Sequence, residues 1–200
     1  MATLHLGFLA SHGGSNMQAI IDACKDGRLD AKPCVVISNN SDSMALLRAR
    51  NEGIPWYHIS GVTHPGPAED EEILRVLHRH GVDTVILAGY MKKLGDITLK
   101  AYRGRILNIH PALLPKFGGK GMYGKRVHEA VLAAGEKITG VTIHVLDENY
   151  DTGPIINQCQ VPVLENDTAD TLAERVLKHE HRLFAETLQM ISDGRIRLPQ

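Results

Sequence analysis

This 200-residue sequence lacks the features that mark several classes of protein. It has 22 lysines and arginines and 23 aspartates and glutamates, so there is no net electrostatic attraction toward nucleic acid or an anionic membrane. No apolar run approaches the roughly 20 residues of a membrane span, and the N-terminus lacks the basic flank and long apolar stretch of a signal peptide. We therefore expect a cytoplasmic protein that acts on small molecules.

Cysteine is also scarce. Cys24, Cys34 and Cys159 are odd in number and far apart, which fits neither a disulfide framework nor a zinc site. The 11 histidines include two pairs at a two-residue spacing within helical patterns, which places the members of each pair on different faces. We expect reduced cysteines in the core and no metal site.

The N-terminal half alternates short apolar segments with segments of helical period. The pattern predicts strands at 4–10, 33–38, 54–59 and 84–88, and helices at 16–26, 43–51 and 69–80. This order indicates an α/β fold with a mostly parallel, twisted sheet flanked by helices, in which ligands bind outside the carboxyl ends of strands. A hydrophobic content of 43% suits one core, so we expect a single domain over residues 1–200.

The C-terminal half has a different pattern. It predicts a short helix at 127–134, strands at 140–146 and 155–163, and a long capped helix at 168–191. Pro162 indicates that the second of these strands is an edge strand, which we expect to be antiparallel. Residues 147–154 between the two strands are too many for a tight turn, and such loops commonly carry function.

The loop after the first strand contains Gly13, Gly14, Ser15 and Asn16, and a helix follows it. The glycines permit a close backbone approach, and the helix start offers N–H donors and positive potential to a phosphate. The loop lacks the signatures of ATP and dinucleotide sites. A plain strand–helix turn with Ser15 or Asn16 as the helix cap remains an alternative.

Asn108 and His110 lie two apart at the end of a predicted strand, 105–109, so they project from the same side of it. An amide can donate to a developing oxyanion, an imidazole can donate or move a proton, and the carboxylate of Asp151 downstream can hold or charge that imidazole. This set suits acyl transfer without an acylated serine or cysteine. The alternative is that both residues only satisfy loop backbone groups.

The sequence also contains three longer motifs: Leu87-Ala88-Gly89-Tyr90-Met91, Asn-Ile-His-Pro-Ala-Leu-Leu-Pro-Lys-Phe at 108–117, and Asp151-Thr152-Gly153-Pro154. Together they resemble the 10-formyltetrahydrofolate-dependent formyltransferase family, and within it the phosphoribosylglycinamide formyltransferases (glycinamide ribonucleotide transformylases) of purine synthesis. The resemblance runs from the first strand to the last helix. It implies a Rossmann-like fold with the ribonucleotide phosphate loop in the N-terminal half, and catalysis and folate binding in the C-terminal half. It also implies 10-formyltetrahydrofolate as co-substrate, glycinamide ribonucleotide as acceptor and no metal.

The resemblance further implies roles for individual residues. Asn108, His110 and Asp151 would be catalytic. Gly13, Gly14, Ser15, Asn16 and Lys116 would face the ribose phosphate, and Glu180 the sugar or glycinamide. The folate would contact, largely through backbone groups, Met91, Lys92, Lys93, Leu94, Asn108, Asp147, Glu148, Asn149, Tyr150 and Asp151. Plainer interpretations stay open: Met91 and Leu94 as core, and Lys92, Lys93, Lys116 and Glu180 as surface charges.

Two departures from the family pattern weaken the assignment of the acceptor. Residues 63–69 lack a basic residue that some relatives place near the phosphate, and His12 stands where a small residue is common; we expect His12 to point away. His144 flanks the site without an assigned role. Formyl transfer to another small amine, such as an amino sugar nucleotide, and folate binding without turnover remain alternatives, and a homodimer is left open.

Overall fold

The computed structural model describes residues 3–149 and 151–199. In chain order its elements are β1 (Leu4–Leu9), α1 (Ser15–Lys25), β2 (Ala31–Ser38), α2 (Met44–Asn51), β3 (Trp56–His58), α3 (Ala68–Arg79), β4 (Thr84–Leu87), α4 (Asp96–Ala101), β5 (Ile106–His110), α5 (Lys125–Ala133), β6 (Ile138–Val145), β7 (Ile155–Pro162) and α6 (Ala169–Ser192). Within the described residues, no helix is both long and apolar enough to cross a membrane.

The strands form one sheet in the order β3-β2-β1-β4-β5-β6-β7. Strands β1 to β5 pair in parallel, whereas β6 is antiparallel to both β5 and β7. The predicted α/β fold is confirmed, as is the edge position of the strand with Pro162. The strand order reverses between β1 and β4, and the crevice outside the carboxyl ends of the strands at such a point is where open α/β sheets bind ligands.

The core has two parts, one on each face of the sheet. Phe8 on β1 packs in the part that includes Met17 of α1 and Phe184 of α6. Its neighbour Leu9 projects to the other part, which includes Ile73 of α3. Because successive side chains of a strand alternate between faces, a strand covered on both faces is apolar throughout, and β1 ends in four consecutive buried residues.

The short helix α4 is absent from the pattern-based prediction. Its first turn is capped by Asp70 of α3, whose carboxylate accepts from the N–H of Ile97 at 2.8 Å and of Thr98 at 3.3 Å. Because a cap 27 residues away leaves no local signal, the sequence around 96–101 gave no sign of the helix. By contrast, the local caps Ser43 and Thr168 begin α2 and α6 close to where the sequence predicts.

Candidate active site

The loops that follow β1, β4 and β5 meet at one edge of the sheet. Leu9 pairs with Leu87, and Leu87 with Asn108, so the carboxyl ends of the three strands lie side by side. Ser11 joins two of the loops: its hydroxyl accepts from the N–H of Met91 at 2.7 Å and donates to Asn39 at 2.6 Å. The predicted phosphate loop and the segment after β4 therefore border one cleft edge.

Asn108, His110 and Asp151 lie together at this edge, with His144 between two of them. The Asp151 carboxylate is 3.7 Å from Nδ1 of His110 through Oδ2, and 3.5 Å from Nε2 of His144 through Oδ1. The Asn108 amide nitrogen is 3.0 Å from the same His144 nitrogen. The structure thus brings the three sequence-predicted catalytic residues into one cluster.

His110 is buried, and its ring orientation is set by the loop that follows it. Nε2 lies 2.7 Å from the carbonyl oxygen of Phe117, which can only accept, so Nε2 carries a proton and Nδ1 faces Asp151. Burial lowers the pKa of His110; the nearby Asp151 charge and the Phe117 carbonyl oppose this shift, and His144 adds to it. The resting ring is therefore neutral at neutral pH, with the Nδ1 lone pair toward the carboxylate.

Asp151 is held from three sides. Besides the two histidines, the backbone N–H of Gly119 donates to its Oδ2 at 2.9 Å. Burial acts to raise the pKa of Asp151, but the contact with His144, the Gly119 N–H and the charge of His110 outweigh it, and the net pKa is lowered. The carboxylate is therefore ionised at neutral pH, and it faces the acceptor nitrogen of His110.

Steric constraints at this site explain the glycine of the Asp-Thr-Gly-Pro sequence at 151–154. A β-carbon on Gly153 would lie 1.8 Å from the carbonyl oxygen of Val145, so only glycine permits the chain to return this close to β6. Asp151 itself has a left-handed backbone, with φ of 57°, which aspartate tolerates better than most residues. This close return brings Asp151 back over β5 and β6.

The loop after β1 ends at Gly14, which caps α1 with φ of 65°. No acidic residue of α1 itself lies in its first turn, so no carboxylate of this helix neutralises its positive end. A β-carbon on Gly14 would lie 2.9 Å from Cβ of Ala45 in α2, whereas one on Gly13 would meet no atom of the described part of the chain within 4 Å. A side chain at position 14 would therefore strike α2 as well as any anion held by the loop.

Asn16 connects this loop to the last helix. Its amide nitrogen donates to Glu180 at 2.7 Å, and the Asn16 oxygen is buried with no hydrogen-bond partner among the described residues. Glu180 is only 9% exposed, so the alternative of a surface helix charge is excluded. Burial raises the pKa of Glu180, and the Asn16 bond opposes it. A buried carboxyl and an unpaired amide oxygen next to the loop are groups that a polar ligand can satisfy.

The remaining predicted residues lie in less constrained positions. Lys116 is exposed and paired with Glu136 at 2.8 Å, so it would have to leave that partner to reach a phosphate. Lys92 is exposed and pairs with Glu69, and Leu94 is buried in the core as the plainer interpretation held. Met91, Lys93, Glu148 and Asn149 are exposed, Asp147 is half-buried, and Tyr150 lies outside the described residues.

Some functional contacts were absent from the sequence-based prediction. Arg48 of α2 donates through Nε to the carbonyl oxygen of Gly13 at 3.0 Å. Gly119 and Phe117 act through backbone groups, which no residue pattern reveals. His144 had a usable signal, because it lies with Thr142 on the polar side of a predicted strand whose other side is apolar. The structure makes His144 the direct cross-strand partner of Asn108.

Taken together, the cluster offers an amide donor, a neutral buried imidazole and an ionised carboxylate, at the same sheet edge as the loop that precedes α1. This combination can stabilise an oxyanion and move a proton between two nitrogens. Among residues 3–149 and 151–199, no group of three histidine, cysteine, aspartate or glutamate side chains is arranged to hold a metal ion.

Comparison with known proteins gives the class of the chain. The formyl transferase family model matches residues 5–188, so the chain belongs to the formyl transferase family. It is 43% identical over 192 residues to a chloroplastic phosphoribosylglycinamide formyltransferase from Vigna unguiculata, covering 96% of this chain and 62% of the relative. It is 36% identical over 191 residues to the phosphoribosylglycinamide formyltransferase of Escherichia coli K12, covering 95% of this chain and 88% of the relative.

A solved structure supports the same family membership. Glycinamide ribonucleotide transformylase 1 from Symbiobacterium toebii superposes with a TM-score of 0.90 at 38% identity, over 99% of this chain and 95% of that one. The chain thus spans under two thirds of the Vigna unguiculata relative but nearly all of the bacterial structure.

Proposed function

We propose that this chain transfers the formyl group of 10-formyltetrahydrofolate to the amino group of glycinamide ribonucleotide. The observation that carries the proposal is the cluster of Asn108, His110 and Asp151 at the same sheet edge as the glycine-containing loop after β1. The relatives named as phosphoribosylglycinamide formyltransferases support the choice of donor and acceptor.

The acceptor would bind through its phosphate at the start of α1. The first-turn N–H groups of Ser15 and Asn16, with the positive end of the helix, suit a dianion. Arg48 adds a cationic side chain that bonds the Gly13 carbonyl, so the loop has local positive charge although residues 63–69 lack a basic residue. Glu180, held by Asn16, would then meet the sugar or the glycinamide. Lys116 remains a further candidate for the phosphate.

The folate co-substrate would lie between the segment after β4 and the loop after β6. The exposed Met91 and the backbone of the following residues border the catalytic edge, because β4 and β5 are direct neighbours. Residues 147–149 border it from the other side, and Asp147 orders that loop by accepting from Asn149 N–H and the Thr152 hydroxyl. Pterin recognition through backbone groups fits this arrangement.

In the reaction, the substrate amine attacks the formyl carbon, and the formyl oxygen gains negative charge as the new C–N bond forms. Asn108 donates an N–H to that oxygen. His110 is neutral at rest, so its Nδ1 can accept the proton that the amine nitrogen must lose. Asp151 stabilises the resulting imidazolium, which returns the proton to the folate nitrogen as the old C–N bond breaks. One proton thus moves from the acceptor nitrogen to the donor nitrogen.

The two halves of the chain then have different functions. Residues up to the end of β4 supply the phosphate loop, and residues from β5 onward supply the catalytic cluster and most of the folate site, all in one domain. The free thiols of the three cysteines are consistent with a reducing compartment, and we propose the cytoplasm.

An acceptor panel tests this proposal. Purified protein is mixed with 10-formyltetrahydrofolate and, in separate reactions, glycinamide ribonucleotide, its phosphate-free riboside, an amino sugar nucleotide or no amine. We expect tetrahydrofolate release with the ribonucleotide, a much higher KM for the riboside, and no release in the other two. Equal rates for ribonucleotide and riboside would contradict the phosphate site, and release without any amine would indicate hydrolysis instead of transfer.

A further inference from the structure

His144 is fully buried on β6, directly across the strand pair from Asn108. Its Nδ1 is 3.1 Å from the carbonyl oxygen of Val145. Because a carbonyl oxygen can only accept, Nδ1 carries the ring proton, and Nε2 of the neutral ring is an acceptor. That acceptor faces the amide nitrogen of Asn108 at 3.0 Å.

This contact selects one of two orientations of the Asn108 side chain. The amide N and O ends are nearly equal in size, so packing alone does not distinguish them. With the nitrogen toward His144, one N–H donates to the ring and the second N–H remains for a ligand. With the amide rotated by half a turn, Oδ1 and the Nε2 lone pair would face each other as two acceptors, which is repulsive.

We propose that His144 is a positioning residue that fixes the Asn108 amide with its free N–H toward the formyl oxygen. This inference rests on the oxyanion role given to Asn108 in the proposed function. Preorganised donors are effective because they need no reorientation during the reaction, so an amide held in the correct orientation contributes to turnover more than to binding.

The same ring nitrogen also lies 3.5 Å from Oδ1 of Asp151. That distance is at the upper limit for a hydrogen bond, whereas 3.0 Å is an ordinary one. One nitrogen cannot accept from Asn108 and donate to Asp151 at once. The contact that lowers the pKa of Asp151 needs a proton on Nε2, whereas the singly protonated ring, with its proton on Nδ1, presents Nε2 to Asn108 as an acceptor at the shorter distance. Asp151 therefore acts on the charge of His110, and His144 accepts the hydrogen bond that orients Asn108.

Two substitutions separate positioning from packing. His144→Gln retains an acceptor near the place of Nε2, whereas His144→Leu fills similar space without one. We expect His144→Leu to lower kcat by roughly tenfold, while the KM values of both substrates change little. Removing a preorganised donor outright costs roughly a hundredfold, and here the amide is still present but no longer held in orientation. His144→Gln should restore most of kcat. As a matched control, His80→Leu removes a half-buried histidine whose ring is hydrogen-bonded to Tyr57 on β3. His80 is not part of the catalytic cluster, so this variant should leave kcat unchanged.

A double-mutant cycle identifies the residue through which His144 acts. In an Asn108→Ala background, His144→Leu should cost little further turnover, because the oriented group is already gone. In an Asp151→Asn background the full loss should persist. Independent losses with Asn108→Ala, or wild-type kcat in His144→Leu, would overturn the proposal.

A spectroscopic readout does not depend on turnover. The side-chain amide resonances of Asn108, identified in ¹⁵N-labelled protein by their absence in Asn108→Ala, should shift in His144→Leu and stay in place in His80→Leu. Unmoved resonances would refute the contact. If wild-type protein fails to formylate glycinamide ribonucleotide but the resonances shift as expected, the proposed function is wrong and the positioning of Asn108 by His144 stands.

Discussion

Replacing Asp151 with asparagine removes one negative charge next to His110 while leaving the side-chain volume almost unchanged. The nearest Asp151 oxygen is 3.7 Å from Nδ1 of His110, and both side chains are largely buried. Unit charges at this distance attract by about 1 kcal/mol in water and by about 4 kcal/mol at an effective dielectric constant of 20. The lost attraction corresponds to a pKa change of roughly one to three units.

The sign of the change follows from the charge. Burial already lowers the pKa of His110, and Asp151 opposes that shift, so Asp151→Asn should lower the pKa further. The assay is an NMR titration of the His110 ring in both proteins, without substrates. Glu148→Gln removes an exposed carboxylate from the same loop and should leave the titration of His110 unchanged.

Turnover provides the second readout of the same variant. Asp151→Asn should remove most activity, because the imidazolium formed after proton transfer loses its counter-charge. An unchanged His110 pKa in Asp151→Asn would refute the electrostatic coupling and would leave direct proton transfer or loop positioning as the role of the carboxylate.

Three further predictions follow from the site geometry. Asn108→Ala should lower kcat by roughly a hundredfold with little change in either KM, measured by steady-state kinetics; near wild-type kcat would remove the amide from the mechanism. Gly14→Ala should lower the thermal unfolding midpoint, because Gly14 has a positive φ and an added β-carbon would lie 2.9 Å from Ala45. Gly13→Ala should keep the unfolding midpoint of the wild type and raise only the KM of glycinamide ribonucleotide. His128→Gln should make the stability of the protein less sensitive to acid. Burial, and then the charge of His110, lowers the pKa of His128, so the wild-type chain loses stability as pH falls below about 6.5. Denaturant titrations across that range should show a smaller loss of stability in the variant.

The sequence predicted the parts of the fold that depend on local pattern. Apolar segments such as β1 and β4 are buried on both faces, so they stand out against the helical periods between them. The spacing of Asn108 and His110 also sufficed to place them on one side of β5. The predicted third strand was too long, because only three of its six residues pair with β2.

Contacts between distant segments were beyond the reach of the sequence pattern. The bond from Asn16 to Glu180 joins residues 164 apart, so a helix glutamate that looked like a surface charge is in fact buried. Arg48 reaches Gly13 from the next helix, and the N–H of Gly119 reaches Asp151 from another loop. Such contacts depend on how elements pack, and single-sequence periodicity does not record that packing.

The central claim is that the formyl group moves intact from the folate to the ribonucleotide amine. Its most direct test uses 10-formyltetrahydrofolate labelled with ¹³C at the formyl carbon, with the products separated and identified by mass spectrometry. We expect labelled N-formylglycinamide ribonucleotide and an equal amount of tetrahydrofolate, with both lost in His110→Ala. Label recovered as free formate at the same rate with and without the ribonucleotide would contradict it.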